Sequence, residues 1–265
     1  MDALLFASYG TTHDEARARG IDAVARELAR SFPGLRVTQA FTSPKVRRVL
    51  DARGDHVPDV AGALGELANA GVTRVVVQPG HLVEGRSLSL VGQGVERVRE
   101  RFDAVSVGEP LLASDDDLLR VAQALDERFP DKAGQALVLM GHGTDTVSNA
   151  AYAGVGKALA QIGRDDALVA AFGAGEGIDG ILRDLEFLRA RDGVRAVDLA
   201  PLMLTAGAHT SAEMAGPGPG SWKSRLEAAG YGVTCHMTGL GEVAGVRGLY
   251  VEHARAAARA AGIDV

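Results

Sequence analysis

The chain is 265 residues long, enough for one large domain or two of roughly 130 residues, and its 46% hydrophobic and 23% charged content excludes disorder, collagen and coiled coil as the main architecture. Lys and Arg total 28 against 34 Asp and Glu, and the resulting net charge of −6 repels a long phosphate backbone and sets nucleic acid aside as a partner. No apolar run nears the ~20 residues of a membrane span, MDALLFASYG opens with an acid where a signal peptide is basic, and the lone Cys235 excludes an intrachain disulfide and a multi-cysteine metal site, so the expectation is a cytoplasmic protein.

In chain order, short Val- and Leu-rich runs alternate with longer amphipathic stretches. Strands are predicted at 3–7, 36–40, 74–78, 104–107, 136–140, 168–172, 194–199 and 231–236. Apolar runs of this length suit parallel strands covered on both faces by helices. After the first run, Thr12 and Glu15 have the spacing of a capping box, and Ile21, Val24, Ala25 and Leu28 then share one helical face. Ser114-Asp115-Asp116-Asp117 opens a later helix with acids at its positive end. Residues 128–135, with Pro130, break the periodicity and form the joint between halves. Residues 216–220 read as a flexible loop entering a helix capped at Ser221, or as a lid whose Trp222 covers a flat ligand, and 254–261 reads as a closing helix.

The chain repeats itself at about half its length. Residues 3–12 resemble 136–145, with Gly10 and Gly143 standing 133 residues apart; Phe41 and Phe172 stand 131 apart, and Pro79 and Pro201 stand 122 apart. Two similar α/β halves, 1–130 and 131–265, are therefore expected to face a cleft. The second half carries polar side chains that the first lacks: His142 replaces Tyr9, Glu176 stands opposite Lys45, and His209 falls just past Gly207, where the first half has Ser87. Each lies beyond a predicted strand's carboxyl end, where open α/β sheets place ligands. Two imidazoles and a carboxylate suit Co, Fe, Ni or Zn and leave positions open for substrate or water. Their spacings of 34 and 33 residues fit successive β-α units.

Each residue also has a plainer reading. His142 could pack in a Gly-flanked turn, and Glu176 could be an exposed loop carboxylate. His81, after Pro79 and Gly80, is kept as a cleft residue, while His13, His56, His236 and His253 read as solvated. Gly10-Thr11-Thr12 and Gly143-Thr144-Asp145 lack the spacing of a phosphate loop, so no nucleotide cofactor is expected.

At Ser8 to Thr12, Ala40 to Ser43, Val75 to His81, Leu139 to Asp145, Asn149 to Tyr152, Glu176-Gly177, Pro201 to Gly207, His209, Met214 to Gly216 and Ser221 to Ser224, the chain resembles the class II chelatases. The likeness is to the branch that inserts cobalt into sirohydrochlorin in the anaerobic, early-cobalt cobalamin route. It implies two parallel-sheet α/β halves related by a pseudo-twofold, a tetrapyrrole cleft, and metal ligands that map onto His142, Glu176 and His209. Because imidazole exchanges protons near neutrality, His142 or His209 is the expected proton acceptor. Tyr9, Thr11, Ser43, His81, Glu84, Arg86, Trp222 and Lys223 are the expected substrate contacts. Lys45, Arg47, Arg48, Arg86 and Lys223 are candidates to meet the eight carboxylates of sirohydrochlorin. Ala208 and Arg86 depart from the family pattern, which has an acid before the second histidine and acids in the stretch after His81. Co2+ is the expected metal substrate. Fe2+ or Ni2+ insertion and a non-catalytic tetrapyrrole or metal carrier are the alternatives, and a metal-dependent hydrolase ranks last. A homo-oligomer is compatible with the Ala-rich C-terminal segment.

Overall fold

A computed structural model describes residues 1–143 and 149–264. The chain groups into two compact units, Met1–Ala113 together with Arg247–Val265, and Ser114–Val246. Each has a four-stranded parallel sheet among its described residues.

The first unit runs β1 (Asp2–Ser8), α1 (Asp14–Ala16), a π-helical turn (Arg17–Ile21), α2 (Asp22–Ser31), β2 (Arg36–Phe41), α3 (Pro44–Asp51), α4 (Val60–Asn69), β3 (Arg74–Pro79), α5 (Arg86–Glu96) and β4 (Ala104–Val107). Its strand order is β2-β1-β3-β4. The interior strands are the apolar ones: Leu4, Leu5 and Phe6 of β1 and Val75, Val76 and Val77 of β3 are fully buried. Intervening helices supply the crossovers that parallel pairing needs.

The second unit runs α6 (Asp115–Arg128), β5 (Gln135–His142), α7 (Asn149–Gln161), β6 (Ala167–Phe172), α8 (Gly177–Asp192), β7 (Ala196–Leu202), a π-helical turn (Thr210–Met214), α9 (Trp222–Ala228) and β8 (Gly232–Cys235). Its order, β6-β5-β7-β8, repeats that of the first sheet. Ala7 pairs with Pro79 as Met140 pairs with Pro201, so the repeat read from sequence is reproduced between these strands. Beside β1 and β5 the register differs by one residue, Ala7 facing Ala40 and Met140 facing Ala170. All eight predicted strands form, with ends shifted by up to three residues.

Helix α10 (Ala244–Ala260) is longer than the predicted closing helix, and from Arg247 onward it groups with the first unit. There the Tyr250 hydroxyl donates to the Gly80 carbonyl at 3.1 Å, and its ring meets Phe6 edge-on at 5.9 Å. Helix α6 groups with the second unit, because the buried Arg164 donates to Asp126 and to the Phe129 carbonyl at the end of α6 as well as to Asp166. The contact grouping thus divides the chain at 113/114 and 246/247, where the sequence suggested 130/131.

Ser114 caps α6 in a full capping box with Asp117, as its sequence indicates. The expected box at Thr12 and Glu15 does not form. The Thr11 hydroxyl accepts from the His13 N–H at 3.2 Å instead, and Glu15 pairs with Arg19 one turn on. Ile21, Val24, Ala25 and Leu28 are all buried, so the helical face is as predicted.

Candidate metal-substrate site

Strand β5 is central in its sheet, flanked by β6 and β7, so the loops leaving these three strands share one carboxyl edge. His142 is the last residue of β5, Glu176 precedes α8 after β6, and His209 follows β7 at the start of the π-helical turn. The local chain is tightly specified. The Gly143 N–H donates to the Phe172 carbonyl at 2.8 Å, and a Cβ at Gly143 would stand 2.6 Å from that same oxygen, so only glycine fits beside His142. Past β7, the Met203 and Leu204 carbonyls accept from the N–H groups of Leu240 and Gly241, which fixes the approach to His209.

The structure brings His142 and His209 together. Their ring centroids are 4.6 Å apart and the rings cross at 69°. His142 Nδ1 lies 3.0 Å from the Gly143 carbonyl. A carbonyl oxygen can only accept, so Nδ1 carries the hydrogen and Nε2 keeps its lone pair for a metal. His209 Nδ1 faces the Glu213 carboxylate at 3.3 Å, which favours the same tautomer.

Glu176 does not join them here. Its carboxylate accepts from Arg183, two helical turns along α8, at 2.5 Å, and the hydrogen bond and charge of that guanidinium hold its carboxyl below the usual range. Among the described residues no three His, Cys, Asp or Glu side chains gather as a metal cage, so the expected three-donor set is present as a histidine pair with the carboxylate committed elsewhere. Of the Gly143-Thr144-Asp145 motif, Thr144 and Asp145 lie outside the described residues, as do 146–148.

The other expected residues divide by burial. Tyr9 is half exposed, and Glu84 and Arg86 are exposed, Arg86 opening α5. Thr11 and Ser43 are buried with their hydroxyls serving the backbone, Ser43 capping α3 by accepting from the Val46 N–H. His81 is buried with Nε2 3.3 Å from the Thr42 hydroxyl and, among the described residues, no hydrogen-bond partner for Nδ1; burial lowers its pKa to about 4, which keeps it neutral. Trp222 is 2% exposed and packs in the core with Met214, Leu226 and Tyr231, so it is no lid over a flat ligand. Lys223 lies 3.7 Å from Glu227. His236, expected to be solvated, instead sits 2.9 Å from the buried Asp198, which Lys132 also meets at 3.0 Å.

Arg183 and Glu213 are the site's neighbours that the sequence reading missed. Both could have been found as helical partners of a candidate ligand, Glu213 four residues past His209 and Arg183 seven past Glu176.

Two parallel α/β units of one topology, with imidazoles at the carboxyl edge of the second, define a protein of chelatase architecture. The fold resembles that of SirB from Bacillus subtilis with Fe3+, at a TM-score of 0.68 and 15% identity, covering 98% of this chain and 97% of that one. It also resembles CbiX, described as the terminal enzyme for siroheme biosynthesis in denitrifying bacteria, at a TM-score of 0.52 over 96% of this chain and 99% of that one, with 18% identity. Residues 2–259 match the cobalt chelatase (CbiK) family, and the chain belongs to it. The sirohydrochlorin cobaltochelatase of Salmonella typhimurium is 34% identical over 253 residues, 95% of this chain and 94% of that protein. The sirohydrochlorin cobaltochelatase CbiKC of Nitratidesulfovibrio vulgaris is 35% identical over 266 residues, 97% of this chain and 90% of that protein.

Proposed function

We propose that this protein inserts Co2+ into sirohydrochlorin and releases two pyrrole protons, with His142, Glu176 and His209 as its donors to the metal substrate. The observation that carries the reading is the convergence of two imidazoles whose Nδ1 atoms face a carbonyl and a carboxylate, in a chain of the cobalt chelatase family. Imidazole nitrogen suits Co2+, and three protein donors leave coordination positions for the macrocycle nitrogens.

Glu176 joins the histidines by exchanging Arg183 for the dication. Both partners of that ion pair are about two-thirds exposed, so it is held weakly and yields readily. Insertion removes two N–H protons from the macrocycle, and imidazole is the side chain that exchanges protons near neutrality. A histidine that gives up the ion as the ring nitrogens take it over is therefore able to accept one of them. Sirohydrochlorin carries eight carboxylates against a chain of net charge −6, so local cations must meet them. Lys45, Arg48 and Arg86 are exposed, while Arg47 and Lys223 lie near Asp59 and Glu227.

The chain has no described helix long and apolar enough to cross a membrane. We place the reaction in the cytoplasm, where a lone cysteine stays reduced.

The test is a spectrophotometric assay with sirohydrochlorin and Co2+, Fe2+ or Ni2+ at matched free metal. The reading predicts many turnovers with Co2+ at a rate above that without protein. Faster insertion of Fe2+ or Ni2+ would overturn the metal assignment, and one equivalent bound without turnover would make the protein a carrier.

A further inference from the structure

We propose that Glu213 is a positioning residue for His209, fixing the nitrogen that this imidazole offers to the metal substrate. The inference rests on the reading of His209 as a ligand. Glu213 Oε1 lies 3.3 Å from His209 Nδ1, while Oε2 is buried with no hydrogen-bond partner among the described residues. The contact is an ion-pair distance, and the negative charge beside Nδ1 favours the tautomer that carries its hydrogen there and leaves Nε2 its lone pair. An enclosed carboxylate oxygen without a partner opposes stability, so the side chain's location answers to something other than packing.

The backbone supports that location. Residues 210–214 form a π-helical turn closed by the Ala215 N–H on the Thr210 carbonyl at 3.0 Å. Such turns are rare and cluster at functional sites. The chain then passes so close that a Cβ at Gly216 would stand 2.3 Å from the Ala212 carbonyl oxygen. The two imidazoles are thereby backed differently, His142 by a neutral backbone carbonyl and His209 by a carboxylate. Carboxylate backing strengthens a metal-binding imidazole and holds its orientation.

The experiment compares Glu213→Leu, Glu213→Gln and His209→Ala in the full chain, with Co2+ alone as the probe. Affinity is read by competition with a chelator, and the ring tautomer of His209 by nitrogen-15 NMR of the metal-free protein. Glu213→Leu is expected to weaken Co2+ binding by about 10–100-fold, to mix the His209 tautomers, and to leave the melting temperature unchanged or higher. Glu213→Gln, which still offers an acceptor oxygen in the same shape, should recover most of the affinity and the single tautomer. Retained affinity in Glu213→Leu, within about 10-fold, or an unaltered tautomer, would overturn the inference while leaving His209 a ligand. Should His209→Ala bind Co2+ as the parent does, the ligand assignment falls and the inference with it.

Discussion

On the proposed reading His142 and His209 are two of three protein donors, and each already has its Nδ1 set against an oxygen, the Gly143 carbonyl and the Glu213 carboxylate. Replacing either with alanine removes a donor without touching the core. His142→Ala and His209→Ala should each lower Co2+ affinity by more than about 100-fold, since losing a ligand exceeds the loss from its outer partner, with unchanged circular dichroism. Glu176 gives a sharper test, because Arg183 competes with any cation for its carboxylate. Arg183→Ala should tighten Co2+ binding by about two- to fivefold in titrations of the purified protein, and an unaltered affinity would remove Glu176 from the donor set. The histidines were legible in the sequence because they sit at strand ends within a repeat. Arg183 and Glu213 carried only a spacing signal, seven and four residues past a candidate ligand, and their roles depend on how α8 and the π-helical turn are wound.

Helices and strands were legible wherever the signal was local. Ser114 with three following acids caps α6 as its sequence says, and Ser114→Ala should cost about 1 kcal/mol in urea unfolding, through loss of the bond to the Asp117 N–H. The Thr12 box failed because the helix begins one residue later than that box requires, at Asp14 after the N-cap His13, and Glu15 finds Arg19. Trp222 misled for a different reason: a helix start next to a glycine-rich loop resembles a lid, yet the hydrophobic gain from burying an indole draws it into the core between α9 and β7. The loop after β7 adds its own constraint at Gly216. Gly216→Ala would press a methyl onto the Ala212 carbonyl, and about 1–3 kcal/mol of destabilisation is expected from such overpacking.

At the scale of the whole chain, duplication was visible in the sequence as paired motifs, whereas the exchange of α10 into the first unit was not. That exchange depends on Tyr250 reaching Gly80, a contact 170 residues distant in sequence. Buried titratable groups also give each unit its own acid response. His81 in the first unit is lowered to about 4 by burial, so the unfolded chain takes up this proton first and stability falls as pH drops from about 6.5 to about 4. In the second unit, burial raises the Asp198 carboxyl, but hydrogen bonds from His236 and Lys132 outweigh it and leave it below the ordinary value. Its contribution is present above the ordinary carboxylate range and is lost as pH falls through the lowered value. Urea midpoints of the parent and His81→Gln from pH 7.5 to 4 should show the parent losing roughly 3 kcal/mol more than the variant. Identical profiles would mean that His81 takes up its proton as readily in the folded chain as in the unfolded one.

Cobalt-edge anomalous diffraction from crystals soaked in Co2+ tests the metal assignment most directly. A single strong peak is expected about 2.0–2.2 Å from Nε2 of both His142 and His209, with Glu176 turned from Arg183 to complete the protein donors. A peak elsewhere, with the two imidazoles left without metal, would contradict it.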